Sequence, residues 1–260
     1  MSNWIEPRLF ELDELNLDRL LNFQIPGIRV ENFMPPETCG AVSRRLLETD
    51  FQNYSHLKDI PVHQIGLCHN QYAHEDKGVY FGKKEEAQKV IDAIYEGLGV
   101  NPVAMVIHAI ASRANRRVDI FAEPGYGPYF AGAFRQFRGH GRLHVDHAPS
   151  HIKNPWAVTE ITGQMTWNIY YSLSARRGEL VIHDTIHTAE KDRMKVPGDY
   201  YFPYEVLDSE DRIEVHPRIG DLIIFNTQNF HEVLGDPDGL RISQTSFIGQ
   251  RRDRSLGLWS

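Results

Sequence analysis

The sequence predicts a mainly β fold with flanking helices: an antiparallel sandwich or barrel, buttressed by a helical N-terminal part. After about residue 118, short apolar or alternating runs recur between glycine, proline and aspartate, which is typical of antiparallel sandwiches and barrels. Before that point, apolar residues recur with helical spacing. No linker divides the chain, so we expect one domain over residues 1–260, with helical support over about 1–117 and the β core over about 118–250.

The N-terminal part opens with a predicted strand at residues 27–33. A helix follows at once, beginning at the prolines 35 and 36, because proline suits the first turn of a helix. Helical spacing predicts that Val42, Leu46 and Leu47 form its buried face. Two more amphipathic helices are predicted at residues 83–99 and 101–115.

The predicted β core consists of short strands with turn residues between them. Its segments read YFAGAFRQF, GRLHVDH, QMTWNIYYSL, GELVIHD, DRIEVHPR, GDLIIFN and RISQTSFIGQ. The stretch PRIGDL predicts a tight turn that leads into a buried strand.

Composition and charge narrow the class of protein. The 260 residues are 41% hydrophobic and 24% charged, as in ordinary globular proteins. The net charge is -7 and no block of lysine or arginine stands out, so we expect neither nucleic acid nor membrane as a partner. The two cysteines have no metal-binding spacing, and the N-terminus lacks an apolar signal-peptide core. We expect a cytoplasmic protein, either a monomer or a homodimer.

The strongest candidate for chemistry is the stretch GRLHVDHAPSH, with three histidines and one aspartate within residues 144–151. Side chains two residues apart on a β-strand point to the same face. His144 and Asp146 therefore share a face and can converge on one metal ion. His147 points away if the strand continues, and His151 lies beyond it in a loop.

A second histidine ligand must come from farther along the chain. Non-haem Fe(II) oxygenases bind iron through two histidines and one carboxylate on one face of the metal. The downstream candidates are His183, His187, His216 and His231. His231 has the best context, because it follows the buried run GDLIIF and because Arg241 comes ten residues later. On that later strand Arg241, Ser243 and Thr245 share a face.

These residues carry a resemblance to a known family. HVD followed by GDLIIFNTQNFHEVLGDPDGLRIS resembles the Fe(II)- and 2-oxoglutarate-dependent dioxygenases, whose pattern is His-x-Asp, a distal histidine and then an arginine. GIRVENFMPPETCGAVSRRLLE is similar to the strand-then-helix entry of prolyl-hydroxylase-like members. GELVIHD is similar to a strand of small-molecule hydroxylases and the related non-haem halogenases. The resemblance covers roughly residues 27–250 and implies a double-stranded β-helix, or jelly roll, with the metal at its open mouth.

The resemblance also implies a role for each motif residue. His144, Asp146 and His231 would hold Fe(II), while 2-oxoglutarate and O2 would take the three open positions. Arg241 would bind the distal carboxylate of 2-oxoglutarate, because its planar fork meets both oxygens. Ser243 would add a hydroxyl donor.

Other candidate pocket residues are less constrained. Arg135 lies on a predicted strand close to the motif in sequence, where it would bind the cosubstrate, bind a substrate carboxylate, or form a surface ion pair. His69 and His74 are expected in a lid or at the substrate entrance. Residues 185–215 read as an insertion that forms either part of a lid or an ordinary surface loop, with aromatic residues Tyr200, Tyr201, Phe202 and Tyr204. Further candidates near the motif strands are Glu123, Trp156, Trp167 and Asn226.

Position 146 bears on the reaction. The related halogenases replace the metal-binding carboxylate by glycine or alanine, and chloride fills the vacancy. Because this position is Asp146, we expect hydroxylation of an unactivated C–H bond of a small molecule, with release of succinate and CO2. The expected substrate is an amino acid or an amino-acid-derived metabolite, with protein-bound prolyl substrates second. Desaturation, cyclisation or epimerisation stays open, as does a cupin-like isomerase or metal-binding module without 2-oxoglutarate chemistry.

Overall fold

Short strands and helices alternate along the parts of the chain that the computed structural model describes, residues 2–53, 62–174 and 176–260. The helices are α1 (Glu14–Leu21), α2 (Pro36–Leu47), α3 (Lys77–Tyr95), α4 (Pro102–Arg113) and α5 (Ala148–His151). The strands are β1 (Leu9–Phe10), β2 (Gly27–Val30), β3 (Gln52–Asn53), β4 (Val62–Ile65), β5 (Val118–Ile120), β6 (Ala122–Glu123), β7 (Gly127–Pro128), β8 (Ala133–Phe137), β9 (Gly141–His144), β10 (Gly163–Ser172), β11 (Glu179–Ile186), β12 (Arg212–Val215), β13 (Leu222–Asn226), β14 (Asn229–Leu234), β15 (Arg241–Gln250) and β16 (Leu256–Trp259).

Two sheets form the β core. The larger sheet has the order β1-β2-β13-β10-β15-β8-β4-β3, with β16 and β5 attached beside β15. The smaller sheet has the order β12-β11-β14-β9 and is antiparallel throughout. Non-consecutive strands are neighbours in both sheets, as in a jelly roll. The predicted fold class, a jelly roll with flanking helices, is confirmed.

The two sheets face each other across a common core. One cluster of buried side chains joins Tyr170, Ile223 and Phe225 of the larger sheet to Leu180 and Val233 of the smaller one. Inward and outward residues alternate along each strand, so a polar residue at an inward position is held between the sheets. This alternation determines which motif residues can meet.

The helices cover the outer face of the larger sheet. Leu20 of α1, Val42 of α2 and Ile110 of α4 belong to the same buried cluster as Ile169 and Ile224 of the sheet. The N-terminal part therefore buttresses the sheet, as predicted. It also contributes strands β1 to β4, and β16 lies beyond residue 250, so the predicted limits of the β core do not coincide with the limits of the sheet.

Two details of the predicted helices differ from the structure. Leu47 is 66% exposed, whereas Val42 and Leu46 are buried; Leu47 is the last residue of α2 and lies about 100° around the helix from Leu46. Helix α3 begins at Lys77, six residues before its predicted start, because Asp76 caps it by accepting a hydrogen bond from Gly78 N at 2.8 Å.

The turn before β13 needs a glycine, as the PRIGDL pattern predicts. Gly220 has a φ of +86°, and a Cβ at this position would lie 2.5 Å from the carbonyl oxygen of Met34. Gly220 O in turn accepts a hydrogen bond from Met34 N at 2.8 Å. This turn joins β13 to the start of α2. No helix within the described residues is both long and apolar enough to cross a membrane.

Candidate active site

Strand pairing brings the two predicted histidine ligands together. Strands β9 and β14 are antiparallel, with His231 directly opposite His144. Their ring centroids are 4.2 Å apart. The flanking residues Leu143, Val145 and Phe230 pack on the outer face of the smaller sheet, so both imidazoles point inward, between the two sheets.

Asp146 joins the histidines although β9 ends at His144. Its backbone N–H donates to Thr227 O at 3.0 Å, and Thr227 Oγ1 donates to Asp146 O at 2.7 Å. These two bonds hold the segment beside the β13–β14 connection. Asp146 Oδ2 lies 3.9 Å from His144 Nε2 and 3.8 Å from His231 Nε2. All three ligand atoms lie within 4.8 Å of one another, so the predicted triad converges on one point.

Backbone carbonyls orient both imidazoles toward that point. His144 Nδ1 donates to Arg142 O at 2.7 Å, and His231 Nδ1 donates to Asn229 O at 2.9 Å. When Nδ1 carries the proton, Nε2 presents its lone pair, which is the form that a metal requires. Two histidines and one carboxylate on one face are the donor set of non-haem Fe(II) sites. The residues present therefore fit Fe(II).

Electrostatics keep these ligands in their metal-binding protonation states. Burial and the neighbouring His231 lower the pKa of His144 to about 4. Burial alone would raise the pKa of Asp146, but the imidazoles of His231 and His144 and the guanidinium of Arg135 lower it below its usual value. At neutral pH His144 is therefore neutral and Asp146 is charged, so binding a cation does not require removal of a proton from either group.

An inner cavity of about 40 Å³ extends from the triad between the sheets to Arg241. The Arg241 side chain is buried, and it donates from Nε to Gly178 O at 3.1 Å and from Nη2 to Tyr170 Oη at 3.4 Å. No carboxylate among the described residues forms an ion pair with it. A buried cation without a counter-ion is costly, so this position favours an anionic ligand.

Ser243 and Arg135 lie beside Arg241 on paired strands. Ser243 is opposite both Tyr170 and Arg135 in the larger sheet. Its Oγ is buried and has no hydrogen-bond partner among the described residues, which is unusual for a buried hydroxyl. Arg135 lines the inner cavity and also a second, outer one. Ser243 itself lines neither cavity.

The outer cavity is open and has a volume of about 290 Å³. The triad residues His144 and Asp146 line both cavities, so the triad lies where the two meet. Lys195 and Tyr200 of the predicted insertion form part of its wall, and the ring centroid of Tyr200 is 5.6 Å from that of His144. His74 lines this cavity, as expected of an entrance residue.

Several other predicted pocket residues lie elsewhere. His69 is only 1% exposed and packs against the rings of Trp156, Tyr80 and Tyr129, so its expected place at the entrance is wrong. Neither cavity is lined by Glu123, Trp156, Trp167 or Asn226. Glu123, for example, is buried in an ion pair with Lys77 at 2.5 Å. These residues are near the motif strands in sequence but point to other faces.

The remaining downstream histidines do not join the triad. His183 Nε2 lies 3.2 Å from Glu232 Oε1, behind the smaller sheet, and His216 is exposed. His187 belongs to a second cluster with His151 and Asp192 that the sequence did not predict. The two histidines of this cluster are 36 residues apart in the sequence, so no local spacing could have indicated it.

Comparisons with known proteins indicate the family to which this chain belongs. Residues 8–257 match the family described as the carrier-protein-independent halogenase WelO5. The chain is 28% identical over 198 residues to leucinostatins biosynthesis cluster protein S of Purpureocillium lilacinum, covering 73% of this chain and 79% of that protein. It is 22% identical over 255 residues to the L-gamma-glutamyl-L-propargylglycine hydroxylase of Streptantibioticus cattleyicolor, covering 96% and 91%.

Among solved structures, the chain is similar to an N-substituted L-amino acid dioxygenase of Burkholderia ambifaria. The TM-score is 0.65 at 14% identity, over 95% of this chain and 91% of the other. This likeness concerns the fold, whereas the family match covers nearly the whole sequence. The chain therefore belongs to the WelO5 family within the Fe(II)- and 2-oxoglutarate-dependent dioxygenases, which confirms the predicted cofactors Fe(II), 2-oxoglutarate and O2.

Proposed function

We propose that this protein hydroxylates an unactivated C–H bond of a small molecule, an amino acid or an amino-acid-derived metabolite, with release of succinate and CO2. The observation that carries the proposal is the convergence of one carboxylate, Asp146, with the imidazoles of His144 and His231. The carboxylate fills the position that the halogenases leave to chloride.

His144, Asp146 and His231 would hold the iron. Bound iron and 2-oxoglutarate supply the oxidising chemistry with O2, and the protein supplies position and the exclusion of water. The backbone carbonyls behind the two histidines keep each Nε2 aimed at the metal. Loss of such supporting bonds typically costs a metal site 10- to 100-fold in affinity or activity, roughly.

Arg241 would bind the distal carboxylate of 2-oxoglutarate at the far end of the inner cavity. A volume of about 40 Å³ is roughly that of three water molecules, taking about 10–15 Å³ for each. The buried guanidinium would gain a counter-ion, and the hydroxyl of Ser243 would gain an acceptor.

Arg135 would bind a second carboxylate. Because it lines both cavities, it can serve the cosubstrate or a substrate carboxylate in the outer cavity. The variant Arg135→Gln separates these roles, because the first raises the KM for 2-oxoglutarate and the second raises the KM for the substrate. A carboxylate on the substrate agrees with an amino-acid-derived molecule, the class named for two of the similar proteins.

The outer cavity would receive the substrate. Its walls combine apolar side chains such as Val62, Phe137 and Phe247 with the polar groups of Asn70 and Lys195. A mixed lining of this kind suits a small molecule with a hydrocarbon part and a charged part. The position of the substrate C–H bond at the triad would then decide which carbon reacts.

Halogenation is the competing outcome, because the family takes its description from a halogenase. The purified enzyme should be supplied with Fe(II), 2-oxoglutarate, O2 and a panel of free and N-substituted amino acids, in chloride buffer. Coupled succinate release identifies a substrate, and mass spectrometry under ¹⁸O2 identifies the product. We expect a gain of one labelled oxygen atom. Replacement of hydrogen by chlorine would overturn the proposal.

An anaerobic titration with Fe(II) and 2-oxoglutarate tests the cupin-like alternative. A metal module without 2-oxoglutarate chemistry would bind Fe(II) but show no visible charge-transfer band when 2-oxoglutarate is added anaerobically. It would also be indifferent to Arg241→Gln. A band that appears with the cosubstrate and weakens in this variant supports the oxygenase.

A further inference from the structure

We propose that His151, His187 and Asp192 form a second metal site, for a divalent transition-metal ion such as Zn(II), beside the outer cavity. The three side chains come from two parts of the chain. His151 ends helix α5, which begins two residues after Asp146. His187 and Asp192 lie in the segment that follows β11.

The spacing of the ligand atoms fits a tetrahedral ion. Asp192 Oδ1 lies 3.2 Å from His187 Nε2 and 3.4 Å from His151 Nε2. A zinc ion bound at about 2.0–2.1 Å to each atom places tetrahedral ligands about 3.3–3.4 Å apart. The corresponding distances in the triad are 3.8 and 3.9 Å. In the second cluster the carboxylate oxygen is thus closer to both imidazoles, although the two rings are farther apart, with centroids at 5.6 Å against 4.2 Å in the triad.

An unsatisfied nitrogen points into this cluster. His151 Nε2 is buried and has no hydrogen-bond partner among the described residues, because its approach to Asp192 lacks hydrogen-bond geometry. The His187 side chain is only 3% exposed. A buried nitrogen without a partner carries a desolvation cost, and a metal ion would remove that cost.

The protonation states agree with a metal site. Burial and the ammonium of Lys195 lower the pKa of His151. Burial alone would raise the pKa of Asp192, but the neighbouring imidazoles of His187 and His151 lower it. Neutral imidazole and ionised carboxylate are the forms that bind a divalent ion. Two imidazoles with one carboxylate are a common zinc donor set, and water completes the fourth position.

The location of the cluster indicates a structural role for the ion. It would join α5 to the segment that continues through Lys195, Asp199 and Tyr200, which line the outer cavity. The metal would therefore hold one wall of the substrate cavity against the segment that carries Asp146. This site would act by positioning that wall; of its three side chains, only His151 lines the cavity.

The test is the metal stoichiometry of chelator-treated protein. Zn(II) binding should be measured by equilibrium dialysis against a buffer that holds the free ion low, which suppresses adventitious binding to surface histidines. We expect two equivalents for the wild type and one for Asp192→Asn and for His151→Gln. Glu190→Gln is the matched control, because this exposed carboxylate lies two residues before Asp192 and caps nothing; it should bind two equivalents.

A second readout keeps the test independent of the triad. Asp192→Asn should retain the anaerobic Fe(II)–2-oxoglutarate band of the wild type, and zinc should no longer raise its melting temperature as much as that of Glu190→Gln. One equivalent in the wild type would overturn the proposal, whatever the variants do. Two equivalents in folded Asp192→Asn and His151→Gln would overturn it as well, since both remove a proposed ligand.

Discussion

The two histidine–aspartate clusters of this protein have the same composition, but different kinds of backbone structure position their side chains. His144 and His231 lie opposite each other on paired strands, and Asp146 follows one of them by two residues. His151, by contrast, ends a four-residue helix, His187 follows the end of β11, and Asp192 lies in a short 3-10 helix, Lys191–Met194. Regular strands place side chains by register, whereas the second cluster depends on how two irregular segments pack.

The difference extends to what surrounds each cluster. The triad opens onto both cavities. The second cluster is gathered closely around one carboxylate oxygen. The triad lines both cavities, whereas of the second cluster only His151 lines the outer one. We therefore propose chemistry for the triad and support for the second cluster.

Asp146→Asn should have the largest effect, and its comparison with Asp192→Asn distinguishes the roles of the two carboxylates. Asp146→Asn removes the charged ligand of the triad, so the anaerobic Fe(II)–2-oxoglutarate band should vanish and turnover should fall to background. Asp192→Asn makes the same chemical change in the other cluster and should keep the band. Absorption spectra of the two variants at equal protein concentration decide this. An intact band in Asp146→Asn would contradict the assigned ligand set.

Arg241→Gln should have the next largest effect. Truncating one partner of a buried charged pair costs about 2–5 kcal/mol, which corresponds to roughly a 30-fold or greater loss of 2-oxoglutarate affinity. The KM for 2-oxoglutarate measures it, with succinate as the product followed. Arg218→Gln serves as control, because that arginine is exposed and pairs with Glu31 at the surface. An unchanged KM in Arg241→Gln would remove this residue from the cosubstrate site.

Glu123→Gln should lower the stability of the fold without changing either histidine–aspartate cluster. Glu123 accepts hydrogen bonds from Lys77, Tyr129 and Ala157 N, and their loss should lower the free energy of unfolding by about 1.5–3 kcal/mol at neutral pH. The Fe(II)–2-oxoglutarate band should persist. Denaturant unfolding measures the first effect and absorption the second.

The effect of Glu123 should depend on pH in a defined direction. Burial alone would raise the pKa of this carboxyl, but its hydrogen bonds lower it below the usual 4.5. Its stabilisation is therefore complete above the unfolded value and is lost as the pH falls through the lower folded value. The stability difference between wild type and Glu123→Gln should shrink as the pH drops below 4.5. A difference that grows there would contradict a lowered pKa.

Ser243→Ala should have the smallest effect. One hydrogen bond to the cosubstrate contributes about 1 kcal/mol, so the KM for 2-oxoglutarate should rise about fivefold while stability changes little. Ser112→Ala, at the surface of α4, should leave the KM unchanged. A larger rise than that of Arg241→Gln would reverse the roles proposed for the two residues.

The sequence by itself determined much of the triad. Because side chains on a strand alternate with a period of two, the spacing of His144 and Asp146 already placed them on one face. The sequence context of His231, after a buried run and ten residues before Arg241, favoured it over His183, His187 and His216, and the family resemblance agreed. Local periodicity also predicted the strands of the core and the positions of the long helices, although it wrongly placed Leu47 on a buried face.

Only the tertiary structure decided what these residues face. The register of β9 against β14 sets His231 opposite His144 across 87 residues of sequence. Packing buries Arg241 at the inner cavity, with no carboxylate partner among the described residues. The same holds for His69, which was expected in a lid or at the substrate entrance but packs among aromatic rings. The second cluster had no sequence signal at all. Periodicity records which face a side chain takes, whereas long-range packing determines what lies opposite that face.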